Sequence, residues 1–272
     1  MATFSSKSFN SALYQSFRPG YNNHFFKMIY NYHRNHNGQF DIAVDVGTGT
    51  GKVAYELATT FARVKGLDAS STMLKNAVQK DNVTYHIAKS EDLSILESSS
   101  VDVLTVAQAL HWFDHPQFFS EVKRVLKPRG TFAAIGYSFI IFQDHSRVTD
   151  RIFKLGNEPD QLGTFWDNGR LILDNLYKSV DIPMANVERH YFPNATLGQD
   201  QPLAMNDVVS MKHMRNYIKT WSSYKNYCEK YPTRPDIVDE AIDEILQMEG
   251  LAEEDEVNIT WPTVVILGEN SD

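Results

Sequence analysis

The chain has 272 residues, 42% of them hydrophobic, and a formal net charge of −8. That length can bury a sizeable core as one large domain with a lid, and an acidic balance without any Lys/Arg cluster argues against a nucleic-acid partner. No apolar run approaches the about 20 residues that span a bilayer, so no membrane association is expected.

In chain order, residues 1–40 are polar and aromatic, with Phe9, Tyr14, Phe17 and Tyr21 among the rings. Arg18-Pro19-Gly20-Tyr21 interrupts them, and the apolar spacing of Phe25, Met28, Ile29 and Tyr32 predicts a helix over 22–35. From Ile42 strand and helix patterns alternate. A strand over 42–46 runs into Gly47-Thr48-Gly49-Thr50-Gly51 and a helix at about 51–61. A second strand, 64–68, ends on Asp68; Ser70 or Ser71 caps a helix to about Gln79. Strands follow at 83–88 and 101–107. Pro116 opens a helix to Leu126, stopped by Lys127-Pro128-Arg129-Gly130, and a fifth strand covers 131–137. Short apolar strands alternating with helices imply a parallel sheet covered on both faces.

After Tyr137 the rhythm breaks. Residues 138–169 hold scattered aromatics and three glycines. The remaining expectations are a helix over 170–180, a strand over 187–192, a loop over 193–206, helices over 208–228 and from Pro235 to near Gly250, and a last strand over 257–267. No linker separates a second domain, so the later insertions read as a lid on the sheet.

In an open parallel sheet, ligands bind beyond the carboxyl ends of the strands, where the strand order reverses. The residues there are Asp45 with the glycine turn, Asp68, Ser90-Glu91-Asp92, and Gln108, His111 and Trp112. Glycines at such a turn let the backbone adopt φ > 0 or approach a ligand closely. An acid at the end of the second strand can accept both hydroxyls of a ribose, which implies an adenosine ligand. Two cofactors fit, a nicotinamide dinucleotide or S-adenosylmethionine. The spacing G-x-G-x-G is not the G-x-G-x-x-G of the dinucleotide fingerprint. Asp45, inside the first strand, sits badly beside a pyrophosphate and well beside the ammonium and sulfonium of the methyl donor. The residues therefore favour S-adenosylmethionine.

The stretches Val44–Gly51, Gly66-Leu67-Asp68-Ala69-Ser70 with Met73-Leu74, Ser90-Glu91-Asp92-Leu93 and Ala109-Leu110-His111-Trp112-Phe113 resemble class I S-adenosylmethionine-dependent methyltransferases of the methyltransferase-11 type. Phe9-Asn10-Ser11 with Tyr14, Arg18-Pro19-Gly20-Tyr21, Thr220-Trp221-Ser222-Ser223-Tyr224 and Trp261 extend the likeness to the fungal trans-aconitate and cantharidin methyltransferase group. The resemblance implies a Rossmann-like α/β domain over 1–272 with a mostly parallel seven-stranded sheet. Its parts would be a lid segment at 1–40, a donor-binding half at 41–137, substrate-side insertions at 138–256 and the last strand at 257–267.

It also implies roles. Asp45, Gly47, Thr48, Gly49 and Gly51 hold the methionine end, and Asp68 with Ala69 the ribose. Ser90 and Glu91 lie by the adenine, and Met73 packs on the adenine or in the helix core. Gln108 stands where the backbone meets the donor's amino group. Tyr14 and Arg18 face the donor carboxylate and the substrate.

Methyl transfer from a sulfonium is an in-line displacement with a neutral leaving group. The enzyme must hold the acceptor about 3 Å from the methyl and exclude water. A carboxylate acceptor needs no base; a phenol or amine does. His111 is the candidate base, and a substrate hydrogen-bond donor and a packing partner of Trp112 are equally open roles. Tyr14, Arg18, His111, Trp112, Tyr137, Trp166, Trp221 and Tyr224 are the candidate acceptor pocket. Arg18 could pair bidentately with a substrate carboxylate or be a surface cation; Trp221 and Tyr224 could be pocket wall or core stripe. The histidines show no metal-ligand spacing, so no metal is expected. The one cysteine, Cys228, reads as a buried or half-buried thiol. Met1-Ala2-Thr3-Phe4-Ser5 lacks the layout of a signal peptide. The expectation is a cytoplasmic enzyme, monomer or homodimer, that O-methylates a small carboxylic acid. The alternatives are another acceptor (phenol, amine or protein) or a silent donor-binding protein.

Overall fold

A computed structural model describes residues 10–192 and 205–271. Phe9 and residues 193–204 of the expected loop lie outside the described residues. The strands in chain order are β1 (Ile42–Val46), β2 (Arg63–Asp68), β3 (Val83–Ile87), β4 (Val101–Ala107), β5 (Leu126–Tyr137), β6 (Ile141–Phe142), β7 (Ala185–Phe192), β8 (Met205–Ser210), β9 (Glu256–Trp261) and β10 (Thr263–Glu269). Seven of them form one sheet in the order β3-β2-β1-β4-β5-β10-β7. All neighbours from β3 to β5 are parallel, and β10 runs antiparallel to both β5 and β7. The strand order therefore reverses between β1 and β4, which places a crevice beyond their carboxyl ends.

The helices are α1 (Ser11–Phe17), α2 (Asn23–Asn35), α3 (Lys52–Leu57), α4 (Ser71–Leu74), α5 (His115–Val125), α6 (Ser146–Asn157), α7 (Arg170–Asp174), α8 (Met211–Ile218), α9 (Ser222–Lys230) and α10 (Ile237–Glu249). Side chains of the buried strands alternate between two apolar cores. Ala43, Val103, Ala133 and Ile135 face one, with α2 and α3; Val44, Val46, Leu104 and Phe132 face the other, with α5.

The alternating half matches the sequence reading, although α3 and α4 are shorter than expected. Beyond Tyr137 the structure corrects it. The helix expected over 208–228 is three elements. Val208 and Val209 pair with Asn258 and Val257 in β8, Ser210 caps α8, and the chain breaks at Thr220–Trp221 before α9. At that break the Arg18 guanidinium donates to both the hydroxyl and the carbonyl of Thr220. The last strand is also two. Pro262 carries no N–H, so the apolar run is cut there. β9 joins β6 and β8 in a second, three-stranded sheet, and β10 joins the main one. The helix expected over 170–180 ends at Asp174. Two helices, α1 and α6, stand where no helix is expected from the sequence.

Candidate functional site

The turn after β1 is left-handed at all three glycines, with φ of 72° at Gly47, 56° at Gly49 and 78° at Gly51. The amides of Gly47 and Thr48 donate to the carbonyl of Leu67, which binds the turn to β2. Gly47 and Gly49 line a cavity of about 710 Å³ with Asp68, Met73, Ser90 and Phe113. A Cβ on Gly47 would stand 2.6 Å from Cβ of Ala109. Gly51 serves the fold instead. It precedes α3, and a Cβ there would lie 2.2 Å from the Tyr85 hydroxyl. Of the expected turn residues, Gly47 and Gly49 line this cavity, Thr48 borders an adjoining chamber, and Gly51 lines neither.

Asp68 accepts from the amide of Gly49 at 2.8 Å and from that of Ser70 at 2.7 Å. Burial raises its pKa, against those two bonds. Ala69 and Met73 line the same cavity, and so does Ser90, whose hydroxyl donates to Glu91 at 2.7 Å. Glu91 itself accepts from the Asp114 amide at 3.1 Å and acts from behind Ser90.

A second chamber adjoins the turn, walled by Asp45, Thr48, Lys52, Tyr137 and Arg18. Asp45 is 2% exposed and accepts from the Thr105 hydroxyl at 2.7 Å. Burial pushes its pKa up to about 7, against the hydroxyls of Thr48 and Thr105. These residues fit a methyl donor. A buried acid whose partners are hydroxyls, an acid with free lone pairs at a strand end, and glycines with room for a ligand match the ammonium, the ribose and the backbone approach of S-adenosylmethionine.

A third space shares Tyr14, Gln108 and Trp112 with the first cavity. Its remaining wall is Arg18, His111, Trp166, Asp167, Arg170, Leu173 and Ser222. Gln108 holds φ of 54°, and its side chain bridges β4 to β5 by donating to the Tyr137 carbonyl at 3.0 Å and accepting from the Tyr137 amide at 2.8 Å. Its amide side chain is thus committed to the fold, and the residue borders both spaces. Arg18 donates through Nε to Thr220 Oγ1 at 2.8 Å, through Nη2 to the Thr220 carbonyl at 3.2 Å and through Nη1 to the Tyr137 hydroxyl at 3.4 Å. Tyr14, whose pKa burial raises, packs its ring under that guanidinium. His111 is 7% exposed, with Nδ1 3.1 Å from the Tyr177 hydroxyl and its ring beside Trp112. Burial first, then Arg170 and Arg18, bring its pKa down to about 3.

Tyr14, Arg18, His111, Trp112 and Trp166 are thus gathered around one space, while Tyr137 borders the adjoining chamber. Trp221 stands behind the wall, 3% exposed and packed on Trp166 and Phe139. Tyr224 is not brought to the site. The break at Thr220 resets the helical phase, and the Tyr224 hydroxyl donates to Asp236 at 2.6 Å, in a separate groove with Lys219 and Cys228. Sequence reasoning missed Lys52, Asp167, Arg170 and Tyr177. Arg170 is the clearest case: it stacks on Trp166 at 4.1 Å and donates to Asp174 at 2.9 Å, contacts that no spacing announces.

Residues 44–134 match the family model described as "Methyltransferase domain". CRG1 of Saccharomyces cerevisiae, assigned as an S-adenosylmethionine-dependent methyltransferase, is 29% identical over 265 residues, covering 90% of each chain. The methyltransferase gedG of Aspergillus terreus is 30% identical over 184 residues, 65% of this chain and 54% of its own. Among solved structures, one assigned as a type II methyltransferase from Anaeromyxobacter dehalogenans superposes with a TM-score of 0.75 at 26% identity, covering 93% of this chain and 98% of that one. A phosphoethanolamine N-methyltransferase of Haemonchus contortus shares the fold, with a TM-score of 0.52 at 15% identity over 99% of this chain and 60% of its own.

Proposed function

We propose that the chain is a class I S-adenosylmethionine-dependent methyltransferase that O-methylates a small carboxylic acid, making a methyl ester in the cytosol. The observation that carries this reading is the pair of guanidinium groups, Arg18 and Arg170, on the wall that also holds His111. Burial and those arginines bring the His111 pKa down to about 3, which makes it a poor proton acceptor at pH 7. A phenol or an ammonium would find no effective base in it. A carboxylate arrives already ionised, and it meets a wall bearing the guanidinium groups of Arg18 and Arg170. The enclosure by Tyr14, Trp112 and Trp166 suits a small acceptor better than a protein chain.

The bound donor supplies an electrophilic methyl group on a sulfonium. Everything else falls to this chain's residues. Asp68 holds the adenosine side, Asp45 and Lys52 border the methionine side, Gly47 and Gly49 border both, and Gln108 keeps β4 and β5 in register beside them. Tyr14 and Trp112 line both cavities and exclude water where they meet. His111, neutral and fixed through Nδ1 by Tyr177, is a hydrogen-bonding partner for the acceptor.

The test is tritiated S-adenosylmethionine against polycarboxylates, fatty acids, terpenoid acids and phenols. Transfer to a carboxylic acid with a base-labile product is expected. Among the described residues, Asp167 is the one carboxylate on that wall. A base-stable product that is lost in Asp167→Asn would replace the ester reading with a base-assisted phenol or amine methylation.

A further inference from the structure

Lys52 opens α3 and faces the chamber that holds Asp45. Its ammonium donates to the carbonyl of Arg18. No carboxylate among the described residues pairs with it, and burial and the Arg18 guanidinium both act against its charge, bringing its pKa down to about 8. Asp45 is the converse. It is buried, it accepts from the Thr105 hydroxyl, and no cation among the described residues pairs with it. Desolvated charges without a counter-ion are costly to hold. One chamber therefore keeps the cations of Lys52 and Arg18 and the acid Asp45, with no ion pair between them.

We propose that Lys52 receives the α-carboxylate of the donor's methionine moiety, opposite Asp45, so that the chamber is a receptor for a zwitterion. An ammonium has three donors, and one is given to Arg18, which leaves two for a carboxylate. Arg18 is the rival for this role. Three of its five N–H donors go to Thr220 and Tyr137, which makes it the latch that fixes the segment after α1, so the test below separates the two cations. The carbonyl of the latch residue is also what Lys52 holds, so donor binding and closure of α1 meet at one ammonium.

Calorimetry separates the possibilities with two probes, S-adenosylhomocysteine and its decarboxylated analogue, which keeps the ammonium and lacks the carboxylate. Wild type should prefer the first by roughly 10- to 100-fold, the range of a charge-assisted hydrogen bond. Lys52→Gln should erase that preference while binding the decarboxylated probe as wild type does, and Lys52→Arg should restore most of it. The intact binding of the second probe shows that the variant is folded. Equal affinity of wild type for both probes overturns the proposal. So does a preference that survives Lys52→Gln and disappears in Arg18→Gln.

Discussion

Asp68 accepts backbone N–H groups on both carboxylate oxygens, and this fixes it at the end of β2 with its outer lone pairs toward the donor cavity. Asp68→Ala removes the proposed ribose acceptor and frees two amides of the turn. Affinity for S-adenosylhomocysteine should fall by roughly 100-fold or more, about 3 kcal/mol. Normal affinity in calorimetry would sink the ribose assignment. His111 borders the acceptor space and not the donor cavity. His111→Ala should therefore keep donor affinity within about twofold, as for a substitution outside the site, while turnover of a carboxylate acceptor drops. Asp68 is legible in the sequence because its position depends on local chain alone: a strand end, a turn, a helix cap. Arg170 is not, because Trp166 and Asp174 place it through packing. Tyr224 misleads for a related reason. It lies three residues after Trp221 on an apparently unbroken helix, and the break at Thr220 turns it to Asp236.

At the scale of elements, the glycine turn divides into two functions. Gly47 and Gly49 keep the cavity open, whereas Gly51 lets α3 start against the Tyr85 hydroxyl. Gly51→Ala combines φ of 78° with a Cβ at 2.2 Å from that oxygen. A loss of about 1–3 kcal/mol is expected, read as a lower melting temperature, with S-adenosylhomocysteine still shifting the melt upward. Gly47→Ala, with φ of 72° and a Cβ 2.6 Å from that of Ala109, should also lower the melting temperature and should in addition abolish that ligand-induced shift. An unchanged melting temperature in Gly51→Ala would contradict the structural role. Turns of this kind are legible because strand, glycines and helix follow one another directly. The second half of the chain hides its elements. One apolar run from Val257 to Leu267 contains two strands that serve different sheets, and only Pro262 marks the boundary. In α6, the buried stripe is Val148, Ile152 and Leu155, too thin to stand out in a segment crowded with other rings and glycines.

Across the whole molecule, the donor half is built from neighbours in sequence and the acceptor half from distant ones. Arg18 and Thr220 are 202 positions apart, so the sequence alone leaves the acceptor wall unassembled. The closed fold also sets how protons and donor compete. Asp45 has its folded pKa raised to about 7, so between that value and the unfolded value of about 3.9 the folded chain binds more protons, and stability rises as pH falls. His111 does the reverse. It titrates near 6.5 when unfolded and about 3 when folded, so its contribution is lost as pH falls below 6.5. Each slope is at most about 1.4 kcal/mol per pH unit, and the two oppose each other between pH 6.5 and about 4. A donor ammonium beside Asp45 holds the carboxylate ionised and removes its half of that balance. The affinity for S-adenosylhomocysteine should then weaken as pH drops below 7, by up to about tenfold per unit, and the stabilisation that the ligand confers should shrink in step. Asp45→Asn should bind more weakly at pH 8 and show a flat profile from pH 7 down to 5.5. Calorimetry over that range decides it: a wild-type affinity that does not change with pH would remove Asp45 from the methionine end, and with it the argument that this turn is built for a cationic donor rather than a pyrophosphate.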